Sequence, residues 1–194
     1  MTDHLRHLLA AVLATAALTL AGCANVAKIS TGEVVVDNRL SFTLDAAWNQ
    51  VNIPGRGKPV LWTQDGITID TLELWIGIQD GQTLVDTPKD KRPLVFKASM
   101  APHEIVGLFE GIYSADGSTF TLDKLAPATF VGRPGVRFDY TVLRKADDVR
   151  ISGVGWAAVQ ANELVAMTFV APRLGFFPRH VAKAERAAAT ARLR

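Results

Sequence analysis

Two neighbouring segments in the second half of the chain constrain the fold most, because both are apolar on both faces. Residues 149–160 and 164–170 flank Ala161-Asn162, a dipeptide that predicts a tight turn. Strands that are apolar on both faces belong in the middle of a covered sheet. Gly153 and Gly155 share one face of the first strand, which predicts that another group packs close to the backbone there.

A second hairpin is predicted in the first half of the chain. Residues 59–63 precede Gln64-Asp65-Gly66, and Asp-Gly supplies the positive φ angles that a tight turn requires. The strand that follows starts at Ile67 and carries four apolar residues on one face, at Leu72, Leu74, Ile76 and Ile78. Because Ile67 and Ile69 are out of phase with them, a bulge or twist is expected near Asp70.

Two segments have the one-sided apolar periodicity of helices that pack on a sheet. Pro102 suits the first position of a helix, and apolar residues follow at Ile105, Leu108, Phe109 and Ile112. A C-terminal helix is expected from about Pro178, with its apolar stripe on Phe177, Val181, Ala184, Ala188 and Ala191. The sequence therefore predicts the α+β class: an antiparallel β-sheet with two packed helices, one of them C-terminal.

The N-terminal segment has the pattern of an export signal. Residues 8–20 are apolar and uncharged, and this run is shorter than the roughly 20 residues that span a bilayer. It ends in Leu20-Ala21-Gly22-Cys23, which contains the only cysteine of the chain. This tetrapeptide resembles the lipobox of bacterial lipoproteins. The resemblance implies cleavage before Cys23 and lipid attachment to its sulfur, with palmitate among the acyl chains; an ordinary signal peptide with an incidental cysteine is the alternative.

This interpretation divides the chain into three parts: a signal peptide (1–22), a lipidated tether (23–32) and a single α+β domain (33–194). Three acyl chains on Cys23 would hold the protein durably, whereas one chain binds only reversibly. In enteric lipoproteins, Asp after the modified cysteine retains the protein in the inner membrane. Ala24 therefore implies the periplasmic face of the outer membrane, and the inner membrane is the alternative because the rule varies between bacteria.

Composition limits the classes of partner. The chain is 48% hydrophobic and 21% charged, which predicts a packed core. A net charge of +2 is too small to indicate nucleic acid binding. The expected partners are the membrane, through lipid on Cys23, and an envelope protein.

The sequence shows no spacing typical of a catalytic or metal site, so we expect no catalytic residue, no cofactor and no metal. His103 and His180 are far apart and are interpreted as surface residues. Three carboxylate pairs are interpreted as solvated surface charge, namely Asp70/Glu73, Asp86/Asp90 and Asp147/Asp148. Cys23 is the one residue with an expected function, lipid attachment.

Two further sets of residues allow a core or surface interpretation and a functional one. The tryptophans are interpreted as core residues, with a sugar or lipid cleft as the alternative; they are Trp48, Trp62, Trp75 and Trp156. The basic residues of the last helix are interpreted as a solvated face, with contact to anionic lipid headgroups as the alternative; they are Arg179, Lys183, Arg186 and Arg192.

The order of elements from residue 40 to 192 loosely resembles the PsbP-like domains. The residues that carry the resemblance are 40–44 leading to Trp48, residues 130–138, a strand pair through Phe169, and the closing helix. The resemblance implies a central antiparallel sheet with packed helices and a role in binding or assembly without catalysis. The expected function is therefore a membrane-anchored periplasmic lipoprotein that acts as a binding or envelope-assembly factor. The alternative is a carrier of lipid or lipoprotein of the LolB type, which would enclose an apolar cavity.

Overall fold

The computed structural model describes residues 25–53, 58–86 and 93–194. These residues form eleven strands and two helices: β1 (Asn25–Ile29), β2 (Gly32–Val36), β3 (Leu40–Leu44), β4 (Trp48–Asn52), β5 (Val60–Thr63), β6 (Thr71–Gln79), α1 (Pro102–Tyr113), β7 (Thr119–Phe130), β8 (Arg133–Leu143), β9 (Arg150–Gln160), β10 (Glu163–Pro172), α2 (Phe176–Thr190) and β11 (Arg192–Leu193). Cys23, the signal peptide and Asp90 lie outside the described residues.

All the strand pairs are antiparallel, and they form two sheets. The larger has the order β1-β4-β5-β6-β10-β9-β8-β7, and the smaller has the order β11-β3-β2. The predicted α+β class, with an antiparallel sheet and a C-terminal second helix, is confirmed. Strands β9 and β10 lie inside the large sheet, as their two apolar faces predict, and the turn between them has positive φ at Ala161 and Asn162.

The two glycines of β9 allow aromatic rings to lie against the sheet. A Cβ on Gly153 would overlap the ring of Tyr140, and a Cβ on Gly155 would overlap the ring of Phe138. Both rings come from the neighbouring strand β8, in which Phe138 and Tyr140 are the register partners of the two glycines. The predicted close approach to the backbone is confirmed.

Each face of the large sheet has its own core. On one face α1 packs through Ile105, Val106, Leu108 and Phe109. On the other face α2 and the small sheet pack together, and Phe42 of β3 meets Trp62 of β5 with ring centroids 5.5 Å apart. All four tryptophans are buried in these cores, which confirms the core interpretation.

The predicted hairpin exists, but its details differ. Strand β6 begins at Thr71, so Ile67 and Ile69 belong to the connecting loop and the bulge expected near Asp70 is absent from that position. The bulge lies at Ile76-Gly77, where two residues of β6 face Val165 of β10 and Gly77 has φ +72°. Because of this bulge Ile78 faces the α1 core, so the prediction of one shared face for 72, 74, 76 and 78 is wrong at Ile78.

Two expectations about the ends of the domain are also corrected. Residues 25–29, expected within the tether, form β1 and pair with β4 from Asn25↔Asn52 to Ile29↔Trp48. The last helix ends at Thr190, so Arg192 lies in β11, beside β3, rather than on the helix. Among the described residues no helix is long and apolar enough to cross a membrane.

Candidate functional site: a groove at the end of helix α1

An apolar groove with a volume of about 360 Å³ opens between the end of α1, loop 64–70 and the sheet. Its walls are aliphatic and come from six side chains: Ile67, Ile69, Ile112, Val142, Ile151 and Val170. Polar residues complete it at Thr68, Thr71, Tyr113, Asp116, Ser118 and Arg144. This size and this mixture of apolar walls with a few polar groups are typical of small-ligand sites.

Loop 64–70 forms one wall, and the buried side chain of Asp70 organises it. The Asp70 carboxylate accepts hydrogen bonds from Thr63 Oγ1 (2.9 Å) and from the backbone N–H groups of Gln64 (2.9 Å) and Asp65 (2.7 Å). Thr63 Oγ1 accepts another from the N–H of Gly66 at 2.8 Å. Buried polar groups with several partners are costly to disturb, so the loop presents Ile67 and Ile69 to the groove in a fixed position.

Tyr113, the last residue of α1, lines the groove, and its hydroxyl lies within a polar network of the sheet. The hydroxyl donates to Glu73 Oε2 at 2.7 Å and lies 2.9 Å from Thr168 Oγ1. Thr168 lies 3.1 Å from the same Glu73 oxygen, and Trp75 Nε1 donates to Thr168 at 3.4 Å. These contacts tie the end of α1 to β6 and β10.

The electrostatics of the network keep its phenols neutral. Burial raises the pKa of Tyr113 well above its ordinary value, and the nearby Glu73 carboxylate raises the pKa further. Burial likewise raises the pKa of Tyr140. Tyr113 therefore stays protonated at neutral pH and donates a hydrogen bond to Glu73, which makes it a positioning group for the groove rather than a general base.

The polar groups at the rim of the groove form hydrogen bonds with residues close to them in the sequence. Arg144 donates to both carboxylate oxygens of Asp147, at 2.8 and 2.7 Å. Asp116 accepts from the N–H of Ser118 at 2.8 Å, and hydrogen bonds from Ser118 lower the pKa of Asp116. The groove therefore offers apolar surface with a charged rim, which suits an apolar group that has a polar end.

His180 lies on the other side of the same loop and is buried, so its interpretation as a surface residue is wrong. Its Nε2 is 2.7 Å from Asp65 Oδ2, and its Nδ1 is 3.2 Å from Lys183 Nζ. Because an ammonium group can only donate, Nδ1 accepts and Nε2 carries the proton that is donated to Asp65. This contact joins α2 to the groove wall, and the sequence could not show it because residues 65 and 180 are far apart.

The cations of α2 are engaged by the domain itself. Arg179 lies 3.7 Å from Asp65, Arg186 pairs with Asp45, and Lys183 donates to Gln64 Oε1 at 2.9 Å. Arg179 and Arg186 keep 59% and 54% of their side-chain surface exposed, so the solvated-face interpretation is confirmed for them, although these side chains also bridge α2 to neighbouring loops. Contact of this face with anionic headgroups stays a prediction.

The other residues considered from the sequence have separate positions. His103 is exposed, as predicted, and the described residues include no group of three or more His, Cys, Asp or Glu that could hold a metal. Asp147 and Asp148 are exposed, as predicted, whereas Asp70 is buried and Glu73 is half-buried, so the interpretation of that pair as solvated charge is wrong.

Sequence reasoning missed Tyr113 and Thr168. A signal for Tyr113 was present, because it continues the apolar stripe of α1 four residues after Phe109. Thr168 has no comparable signal, since it is one polar residue inside a strand that is apolar on both faces.

Comparisons with known proteins bear on the fold. No protein-family model matches the sequence, and no curated protein matches it. The chain is similar to the solution structure of cyanobacterial PsbP (CyanoP) from Synechocystis sp. PCC 6803, with a TM-score of 0.56 and 13% identity over 90% of this chain and 96% of that one. The fold is PsbP-like. The resemblance expected from the order of elements is thus confirmed at the level of fold.

A looser similarity is to the crystal structure of LpqN, described as involved in cell envelope biogenesis of Mycobacterium tuberculosis. Its TM-score is 0.43 and its identity 9%, over 87% of this chain and 91% of that one. A TM-score below 0.5 is too low to define a shared fold.

Proposed function

We propose that this protein is a lipid-anchored envelope lipoprotein that binds a partner through the groove at the end of α1, without catalysing a reaction. Lipid on Cys23 would hold it at a membrane, with the periplasmic face of the outer membrane expected from Ala24. The groove would accept an apolar group of an envelope protein. The observation that carries the proposal is the groove itself, with six aliphatic side chains on a wall and floor fixed by buried hydrogen bonds.

The architecture of the groove supports binding rather than catalysis. Tyr113 is protonated, and its hydrogen is already donated to Glu73. A rigid apolar groove gains affinity because it needs no ordering when the partner arrives.

The anchor is tested with labelled palmitate in the bacterial host. The wild-type chain should take up the label and the Cys23→Ala variant should not. If the wild-type protein remains unlabelled, the lipoprotein part of the proposal fails.

The groove is tested with a photo-crosslinking residue at exposed Thr68 on its rim, and with a matched probe at exposed Lys124 on β7. We expect an envelope protein to crosslink to the probe at 68 and not to the probe at 124. Ile151→Glu should abolish that crosslink by placing a charge in the groove, whereas Leu122→Glu on β7 should preserve it. Equal crosslinking in the two glutamate variants, with both folded by circular dichroism, would exclude the groove as the binding site.

The LolB-type alternative is favoured by the same aliphatic walls, since an acyl chain also fits them. The two cores are filled by aromatic and aliphatic side chains, so a lipid would bind in the open groove rather than in an enclosed cavity. Native mass spectrometry of the processed protein separates the two functions. A dissociable lipid mass that Ile151→Glu removes would favour the carrier, and its absence alongside a protein crosslink would favour the binding factor.

A further inference from the structure

A second depression, with a volume of about 600 Å³, adjoins the outer end of the groove. We call its lining residues the basic shelf, and they are Asp148, Val149, Arg150, Pro172, Arg173 and Leu174. The shelf begins where the groove ends, because Pro172 is the register partner of Ile151, which lines the groove. The N–H of Arg173 continues the same ladder by donating to the carbonyl of Arg150 at 2.8 Å.

The shelf extends the apolar surface of the groove. Side chains on one face of a strand recur at every second residue, so Pro172 shares a face with Val170 of the groove. Val149 and Pro172 are half-buried, and Leu174 is 86% exposed. An isolated exposed leucine would require no explanation, but Leu174 adjoins other apolar side chains. The groove and the shelf thus present one apolar surface that is open to solvent.

The charges of the shelf are not balanced within the domain. Arg150 and Arg173 are exposed, and their side chains form no hydrogen bond or ion pair with the residues that the structure describes. Asp148 also lines the shelf, and it forms an ion pair with neither arginine. The rim of the groove differs, because Arg144 pairs with Asp147 there. The shelf therefore presents two unpaired guanidinium groups against one carboxylate.

Unpaired guanidinium groups indicate what the partner carries. A guanidinium group binds a carboxylate through two parallel hydrogen bonds, and opposite charges across an interface speed association and favour the correct partner. We infer that the protein segment that fills the groove is acidic beside its apolar group, and that its carboxylates pair with Arg150 and Arg173. This inference rests on the proposed function and names the chemistry of the partner.

The dimensions of the strand limit how far apart the two parts of the partner lie. The step from Val170 in the groove to Pro172 on the shelf is roughly 7 Å. Three extended residues span roughly 10 Å. An acidic residue of the partner should therefore lie within about three positions of the apolar residue in the groove.

The open form of this surface favours a protein segment over an acyl chain. Sites for small molecules bury roughly 70–90% of the ligand surface. An acyl chain that followed the groove to the exposed Leu174 would leave one of its sides in water. A protein segment would instead cover the groove and the shelf with its own bulk.

Charge reversal on the shelf tests the inference in the full chain, in its bacterial host. The photo-crosslinking residue p-benzoylphenylalanine stands at position 68 and is combined with Arg150→Glu or with Arg173→Glu. We expect each reversal to lower the yield of crosslinked envelope protein several-fold, whereas Arg150→Lys and Arg173→Lys should retain most of it because the charge remains. The matched control is Arg133→Glu, an exposed position at the opposite end of β8, which should retain the full yield.

Mass spectrometry of the crosslinked peptide gives the second measurement. An aspartate or glutamate within about three residues of the crosslinked position supports the inference. A segment without an acidic residue there overturns it, and so does a crosslink to lipid, which would favour the carrier function.

The outcomes separate this inference from the proposed function. If the probe at 68 crosslinks to no envelope protein in the otherwise unchanged chain, the groove fails as the binding site and the inference fails with it. If the crosslink forms but survives both arginine reversals, or is lost equally in Arg133→Glu, with all variants folded by circular dichroism, the acidic partner alone is overturned.

Discussion

The two helices cover opposite faces of one sheet with different kinds of side chain. Helix α1 contributes large residues, such as Leu108 and Phe109, whereas the buried positions of α2 include three alanines, Ala184, Ala187 and Ala188. A helix with small contact residues can lie closer to its neighbour. On the α2 side the bulk therefore comes from the sheets, for example from Trp48 and Phe169, whose ring centroids are 6.2 Å apart.

This difference explains where the groove lies. Helix α2 leads within two residues into β11, which pairs with β3 and closes that face. Helix α1 ends at Tyr113, where the turn 114–118 leads away to the edge strand β7. Beyond the last large side chain of α1 the sheet is left partly uncovered, and the groove opens there.

The largest expected change in stability comes from removing a large buried side chain of α1. Phe109 is fully buried and contacts the rings of Trp75 and Phe138. Phe109→Ala should lower the free energy of unfolding by about 3–5 kcal/mol, because it removes buried surface and leaves a cavity. Urea denaturation measures this loss. His103 is exposed on the same helix, so His103→Ala should change the free energy of unfolding by no more than about 0.5 kcal/mol. If the two substitutions have equal effects, large side chains of α1 do not fill the core on that face of the sheet.

The reverse change should damage α2. Ala184 is fully buried, so Ala184→Leu would force the helix away from the sheet and should cost about 1–3 kcal/mol. Ala189 is exposed on the same helix, and Ala189→Leu should leave the melting temperature almost unchanged. Equal melting temperatures for the two leucine variants would show that α2 is not closely packed.

The smallest effect concerns the polar network beside the groove. Tyr113→Phe removes the hydrogen bond to Glu73 and should cost about 1 kcal/mol at neutral pH. Because the folded-state pKa of Tyr113 is raised, its contribution to stability is fully present below about pH 10, the unfolded value, and is lost as pH rises through the folded value.

The measurement is the slope of stability against pH above about pH 10. The slope of the Tyr113→Phe variant should be shallower than that of the wild type, although Tyr140 still contributes to it. An unchanged slope would show that Tyr113 has the same pKa in the folded and unfolded states.

The elements with strong local patterns could be predicted from the sequence. The apolar faces of β9 and β10 indicated central strands, and the glycines at 153 and 155 indicated a close neighbour, although its identity as Phe138 and Tyr140 depended on strand register. Register also decided the bulge, since Gly77 turns Ile78 toward the α1 core. A β-bulge is defined by the pairing of two strands, so the apolar pattern of one strand alone does not reveal it.

The groove could not be predicted for the same reason. Its walls come from loop 64–70, the end of α1 and the strands β8 to β10, which meet only after the sheet has formed. In the sequence Asp65 indicated only a turn, and Asp70 indicated a bulge and a solvated pair with Glu73. The structure makes Asp70 the organiser of the loop and joins Asp65 to His180.

The sequence by itself determined the features that depend on neighbouring residues: the α+β class, the apolar stripe of α1, the helical C-terminal segment, and the lipobox resemblance at Cys23 that predicts an anchored protein. The tertiary structure decided which distant groups meet. It made β1 a paired strand instead of a tether, buried His180, joined the cations of α2 to neighbouring loops, and opened a groove at the end of α1. Periodicity reports which side of an element is apolar, whereas only packing determines what that side contacts.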